Sequence, residues 1–139
     1  MIDKTDQLGL SKYRLQKAST DLDAARFNYE NGLFDAAANR SYYAIFHAAR
    51  AVLALTGQDY KKHSGVIAFF RKEFIKTGIL DKKLSDIIQD AFEIRTDCDY
   101  EDFYVVAKDD VEQQIKNAEY FIAAIEKYLQ TVLQDNCTE

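Results

Sequence analysis

Proline and tryptophan are absent from the sequence, and there are only five glycines, two cysteines, two histidines and one methionine. The lack of proline and the scarcity of glycine remove the residues that usually break helices, which favours long helical segments. Cys98 and Cys137 are too few and too far apart for a disulfide framework, and they show no metal-ligand spacing. They read as free thiols in a reducing compartment, and the expected localisation is cytoplasmic. No stretch approaches the ~20 consecutive apolar residues of a membrane span. The opening residues MIDKTDQLGL lack the basic start and apolar run of a signal peptide. Gly-rich phosphate loops, HExxH, CxxC and nucleophile-elbow patterns are also missing, so neither a metal nor a cofactor is expected. A net charge of −5 argues against an extended polyanion groove and leaves room for a local basic pocket.

What remains is a 139-residue chain, 47% hydrophobic and 29% charged, sized for one domain with a core of its own. Leu15, Ala18, Leu22, Ala25 and Tyr29 recur at three- and four-residue steps and predict a first helix from Ser11 to Asn31, stopped at Gly32. The short Gly32–Leu33 connection requires a second helix packed antiparallel, from Phe34 to Thr56, burying Phe34, Ala37, Ser41, Ile45, Ala48, Val52 and Leu55. Its many alanines favour helix and let neighbours approach closely. Ser64 is expected to cap a third helix, Gly65–Thr77, with Val66, Ile67, Phe69, Phe70, Phe74 and Ile75 on its apolar side. Asp81 is expected to cap a fourth that ends near Arg95, carrying Leu84, Ile87, Ile88, Ala91 and Phe92. Thr96–Ala107 has no clean period and reads as a loop. A fifth helix spans Lys108 to Gln134, with Asp109 and Asp110 suiting its N-terminal dipole. The predicted fold is all-α, an up-and-down antiparallel bundle of four to five helices in a single domain spanning 1–139.

Three strings could carry chemistry. In the second helix Arg40 and His47 stand seven residues apart, close to two turns, so they share a face about 10 Å apart along the axis, with Asn39, Tyr43 and Arg50 on or beside it. Arginine can grip phosphate oxygens in a fork, and histidine can exchange a proton near neutral pH. An RNA 2′-hydroxyl could then serve as an internal nucleophile without a metal. Equally, an arginine in a bundle can pair with a carboxylate, and a histidine can be a hydrogen-bonded boundary residue. The second string is Arg95-Thr96-Asp97-Cys98-Asp99-Tyr100. There Arg95 either completes a helix C-terminus beside its partner Asp99 or lines a pocket with Asp99 and Tyr100. The third, Lys61-Lys62-His63-Ser64, is either a small anion-attracting spot before a helix or a solvated loop.

These strings together resemble the HEPN domain (higher eukaryotes and prokaryotes nucleotide-binding), in its small stand-alone bacterial and archaeal branch. The resemblance rests on Ala38-Asn39-Arg40-Ser41-Tyr42-Tyr43-Ala44-Ile45-Phe46-His47-Ala48-Ala49, Lys62-His63-Ser64-Gly65-Val66-Ile67, Arg95–Tyr100 and Ala118-Glu119-Tyr120-Phe121-Ile122, in the family's order and over nearly the whole chain. It implies a homodimer and, in many members, a metal-independent ribonuclease with an arginine and a histidine separated by four to six intervening residues on a later helix. Arg95 matches that arginine, while Tyr100 stands where the histidine is expected. Arg40 and His47 have the required spacing on the second helix instead. The resemblance further implies a toxin–antitoxin-type pair with a minimal nucleotidyltransferase, which can nucleotidylate a tyrosine; Tyr100 and Tyr104 are the candidates.

The expectation is that Arg40, His47, Arg95, Asp99 and Tyr100 converge. Arg40, His47 and Arg95 would act on a phosphodiester, and Asn39, Tyr43, Lys62, His63, Asp99 and Tyr100 would hold nucleotide or RNA. The alternative is a non-catalytic nucleotide-binding, partner-binding or dimerisation module.

Overall fold

The computed structural model describes residues 4–102 and 104–137. Five α-helices, with no strand among the described residues, form an antiparallel bundle: α1 (Lys4–Glu30), α2 (Phe34–Ala54), α3 (His63–Phe70), α4 (Lys82–Tyr100) and α5 (Lys108–Cys137). A π-helical turn, Arg71–Ile75, follows α3 directly.

α2 is the axis of the molecule. It lies along α1 over most of its length and also meets α3, α4 and α5. The expected stripe is therefore too narrow. Tyr42, Phe46, Leu53 and the alanines at 38, 44 and 49 are buried as well, because neighbours surround the helix on nearly every side. The α1–α2 seam is lined by small side chains, with Ala18, Ala25, Ala37 and Ala48 wholly inaccessible. Their size is what lets these two helices, joined by a three-residue connection, lie close. Gly32 makes that turn in the left-handed region at φ 76°, and the Leu33 amide closes onto the Asn28 carbonyl at 2.8 Å. Phe70, Leu84, Ile88, Phe121 and Ile125 fill the rest of the core from α3, α4 and α5.

The boundaries differ from expectation in instructive places. α1 begins at Lys4, about two turns before Ser11, and Ser11 is itself buried within it. Ser64 is not the cap of α3. Lys62 occupies the N-cap position with extended backbone and no side-chain cap, so the helix starts at His63. The His63 ring is drawn inward onto α2, and that docking takes the place of a polar cap. The third helix is not continuous to Thr77. Arg71 donates through Nε to Ser85 Oγ at 2.9 Å and through Nη2 to Gln89 Oε1 at 2.5 Å, and the chain widens into the π turn at that point. α4 does have the Asp81 cap, which accepts from the Lys83 amide at 3.0 Å. It does not stop at Arg95, however, and continues to Tyr100. Thr96 Oγ1 donates to the Phe92 carbonyl within the helix, and no glycine or proline follows position 78 to end it earlier. Cys98 is a free thiol, half-buried at the core edge. The side chain of Cys137 lies outside the described residues.

Candidate functional site: a cationic cluster around Tyr43

Tyr43, half-buried on α2, is the hub of the cluster. The guanidinium carbon of Arg40 lies 5.0 Å from its ring centre and that of Arg95 lies 5.5 Å away. The imidazole rings of His47 and His63 stand 5.8 and 5.9 Å from the same centre. Two stretches of α2, the start of α3 and the last turns of α4 thus meet at one aromatic ring. Each cation over its face gains about 0.5–1 kcal/mol where water still reaches it.

Arg40 donates through Nη1 to Asp21 Oδ1 on α1 at 3.2 Å, and through Nε and Nη2 to Asn39 Oδ1 at 3.1 and 2.7 Å. Asn39 therefore orients the arginine and has its carbonyl oxygen committed to that role. Asp21 Oδ2 also lies 3.7 Å from His47 Nε2, too far for a strong hydrogen bond. His47 has 13% of its side chain exposed, and its Nδ1 has no partner. Burial, with Lys17, Arg50, Arg14 and Arg40 around it, pushes its pKa down to about 4. The Asp21 contact is thus no ion pair near neutral pH: a neutral imidazole faces a carboxylate that Arg40 already engages. Burial of Asp21 in turn raises its own pKa above the usual carboxylate value.

His63 is held differently. Its ring stacks on Phe46 at 4.1 Å, its Nδ1 is 2.7 Å from the Tyr42 hydroxyl, and Arg95 Nη1 is 3.5 Å from the same nitrogen. Burial keeps the Tyr42 phenol protonated well beyond its ordinary range. Both neighbours of Nδ1 can donate, so that nitrogen is the acceptor, and the neutral ring carries its proton on Nε2. Burial, Arg95 and Arg50 lower the His63 pKa, so the neutral ring is the resting form. His63 lines a hollow of about 340 Å³ together with Phe46, Arg50, Asp59, Tyr60 and Lys61. Gly65 allows the Tyr60 wall to sit close, since a Cβ there would come within 3.1 Å of the Tyr60 Cβ. Asp59 bridges Arg50 at 2.8 Å and the nearly buried Arg14 at 3.0 Å, and so ties the loop before α3 to α1 and α2.

Of the residues singled out from sequence, Asn39, Arg40, Tyr43, His47, His63 and Arg95 come together. Asp99 joins them at the margin, with Oδ2 3.6 Å from Arg95 Nε. Tyr100 does not: it is 82% exposed. Five residues past Arg95 it points about 140° away around the helix, whereas Asp99, four residues on, keeps to the same face. Lys62 is exposed at the N-cap, beside the hollow that Lys61 lines. Tyr104 is half-buried against the core edge, and burial together with Cys98 and nearby carboxylates raises its pKa. Asp21, Tyr42 and the Arg14–Asp59–Arg50 bridge were not anticipated as parts of the site. The local sequence marks neither: Asp21 sits among Ser19, Thr20 and Asp23, and Tyr42 sits beside Ser41 and Tyr43.

The cluster concentrates Arg14, Lys17, Arg40, Arg50 and Arg95 against Asp21, Asp59 and Asp99, on a chain whose net charge is −5. It is a local surplus of positive charge with N–H donors and an adjoining hollow. No group of three or more His, Cys, Asp or Glu among the described residues is placed to hold a metal ion. No helix among them is long and apolar enough to cross a membrane.

Comparison with known proteins gives the family of the chain. Residues 11–128 match the family model of the HEPN domain. The chain is 37% identical over 119 residues to a UPF0332 protein of Thermotoga maritima, covering 86% of this chain and 90% of that one. It is 35% identical over 115 residues to a Methanocaldococcus jannaschii protein named "Putative toxin", covering 83% and 78%. A second protein of that name from the same organism is 34% identical over 119 residues, covering 86% and 88%.

Proposed function

Given that the chain belongs to the HEPN family, we propose that it is a toxin-type HEPN protein whose Tyr43 cluster binds a phosphate of RNA or of a nucleotide. The observation that carries this reading is the pair of guanidiniums, Arg40 and Arg95, brought by different helices to one tyrosine ring beside two neutral histidines. Cations held together with few carboxylates repel one another, and a phosphate relieves that repulsion. Arg50 lines the hollow beside His63, Arg95 Nη1 stands 3.5 Å from the His63 Nδ1, and the His63 Nε2–H is a further donor. The hollow is small, about 340 Å³, which suits one or a few nucleotides and fits the low overall basicity.

A second reading, a metal-independent ribonuclease, is favoured by the 3.5 Å approach of Arg95 to His63. With pKa values depressed, both imidazoles are uncharged at neutral pH and neither is a ready proton donor. A phosphate bound among the same cations would offset their field and raise both values toward neutrality, where histidine exchanges protons well. His63, which lines the hollow, is then better placed for proton transfer than His47, with Arg40 and Arg95 stabilising charge at phosphorus. A homodimer and a minimal nucleotidyltransferase partner belong to this same reading. Of the two candidate tyrosines, the exposed Tyr100 is the better acceptor for nucleotidylation. A phosphate on Tyr104 would face Asp97, Asp110 and Glu101.

The test is incubation of purified protein with short single-stranded RNA in chelator, read for both retention and cleavage. Retention of RNA or nucleotide that weakens about tenfold or more in Arg40→Ala and Arg95→Ala supports the binding site. Cleavage that is lost in His63→Ala and Arg95→Ala supports the ribonuclease. If neither RNA nor nucleotide is held by the wild type, both readings fail.

A further inference from the structure

Tyr60 is the exposed aromatic of the His63-lined hollow, with 40% of its surface open. It belongs to the loop before α3, yet it is fixed from two sides. The Tyr60 amide donates to Asp59 Oδ1 at 2.9 Å, and Asp59 Oδ2 is itself gripped by Arg50 at 2.8 Å and Arg14 at 3.0 Å. The side chain lies along the start of α3. A Cβ at Gly65 would meet the Tyr60 Cβ at 3.1 Å and its Cγ at 3.3 Å, and the Phe69 ring centre is 5.4 Å from that of Tyr60. An open aromatic ring is thus held in place at the wall of the hollow.

Cations stand beside this ring. Arg50 and the exposed Lys61 line the same hollow, and Asp59, the one carboxylate among its lining residues, is shared between two arginines. Phe46 lines the hollow too, but it is buried and its ring stacks on His63 at 4.1 Å, so Tyr60 offers the open aromatic surface. An open ring beside cations suits a ligand that is aromatic at one end and anionic at the other. Aromatic rings set in a positively charged groove are a general means of holding single-stranded nucleic acid, each base stacking on a ring.

We propose that the hollow takes one unpaired nucleobase, stacked on Tyr60, while the phosphate of the same nucleotide sits among the cations of the Tyr43 cluster. This inference rests on the phosphate-binding reading of that cluster and adds the other end of the ligand. His63 joins the two parts, since it lines the hollow and stands 5.9 Å from the Tyr43 ring centre. The base must be unpaired, because within a duplex its faces are covered by neighbouring bases. Every base has a π face, so the hollow separates a nucleotide from a sugar phosphate more sharply than one base from another. Asp59 is a positioning residue, holding the Tyr60 backbone through Oδ1 and the two arginines through Oδ2.

The test compares AMP with ribose 5-phosphate on the full-length protein, and adds the 5′-monophosphate of 2-aminopurine riboside, whose fluorescence is quenched by stacking. The wild type should hold AMP about tenfold more tightly than ribose 5-phosphate, the order of one base–aromatic stack, and should quench the 2-aminopurine nucleotide. Tyr60→Leu keeps an apolar side chain against Gly65 and Phe69 but has no π face. It should bring AMP down to the affinity of ribose 5-phosphate, remove the quenching and leave ribose 5-phosphate binding unchanged. Tyr60→Phe should behave as the wild type, and circular dichroism checks that both variants fold. Tetra-adenylate should depend on Tyr60 in the same way. Affinity above that of AMP marks a single strand as the ligand, and affinity equal to it marks a free nucleotide. The base subsite alone is overturned if AMP and ribose 5-phosphate bind the wild type equally, or if Tyr60→Leu keeps the preference for AMP or loses both ligands together. A wild type that holds neither ligand overturns the base subsite and the phosphate site at once.

Discussion

Acid should loosen this fold through one buried ring. His47 is neutral in the native protein with its pKa near 4, against 6.5 in the unfolded chain. Between those values the unfolded chain binds a proton that the native state refuses, so unfolding becomes easier as pH falls. The contribution is fully present above the unfolded pKa and is lost on descending toward the folded one. Carried from pH 7 to pH 4.5, the linkage amounts to about 2 kcal/mol. His63 acts in the same direction, and Asp21, with its raised pKa, acts in the opposite one. The clean measurement is therefore a difference: urea unfolding followed by circular dichroism across this pH range, for the wild type and for His47→Gln. The glutamine variant has nearly the same size and does not titrate, so the wild type should lose about 2 kcal/mol more than it does. Parallel pH profiles for the two proteins would refute the reasoning, because His47 would then carry its ordinary pKa and the cationic surround would not reach it.

Further substitutions probe other parts of the structure. Tyr42→Phe removes the hydroxyl that meets His63 Nδ1 and should cost about 1–2 kcal/mol in denaturant unfolding while weakening nucleotide retention. Ala48→Leu places a large side chain in the inaccessible α1–α2 seam, and a loss of about 1–3 kcal/mol is expected in the same assay. Asp81→Ala strips the cap from α4 and should lower stability by about 1 kcal/mol with no effect on RNA or nucleotide binding.

The helices were legible because their signals are local. Three- and four-residue apolar steps placed every helix, and Gly32, Gly57 and Gly78, all at positive φ, mark three of the chain reversals. What escaped was set by contacts distant in sequence. The end of α4 looked irregular because its last turns bury little. They are held by Arg95 over Tyr42 and Tyr43, more than fifty residues upstream, and by the half-buried Cys98. His63 starts α3 because Phe46 and Tyr42 receive its ring, which no capping pattern reveals.

The site was read on the same terms. Arg40 and His47 are two turns apart on one helix, so their shared face follows from spacing alone. Their shared partner Asp21 belongs to a different helix and is a carboxylate among many. Tyr100 was grouped with Arg95 by proximity in the chain, whereas the helix that continues through it turns it outward. Tyr42 stood inside the quoted string, but only the packing distinguishes it, wholly buried, from its half-exposed neighbour Tyr43.

The most direct test of the anion-binding cluster is the titration of the His47 and His63 ring signals by NMR, with and without a mononucleotide such as AMP. Phosphate seated among Arg40, Arg95 and Arg50 should raise both midpoints, His63 foremost, and Arg40→Ala with Arg95→Ala should abolish the response. Midpoints that stay unchanged at every nucleotide concentration would contradict the account.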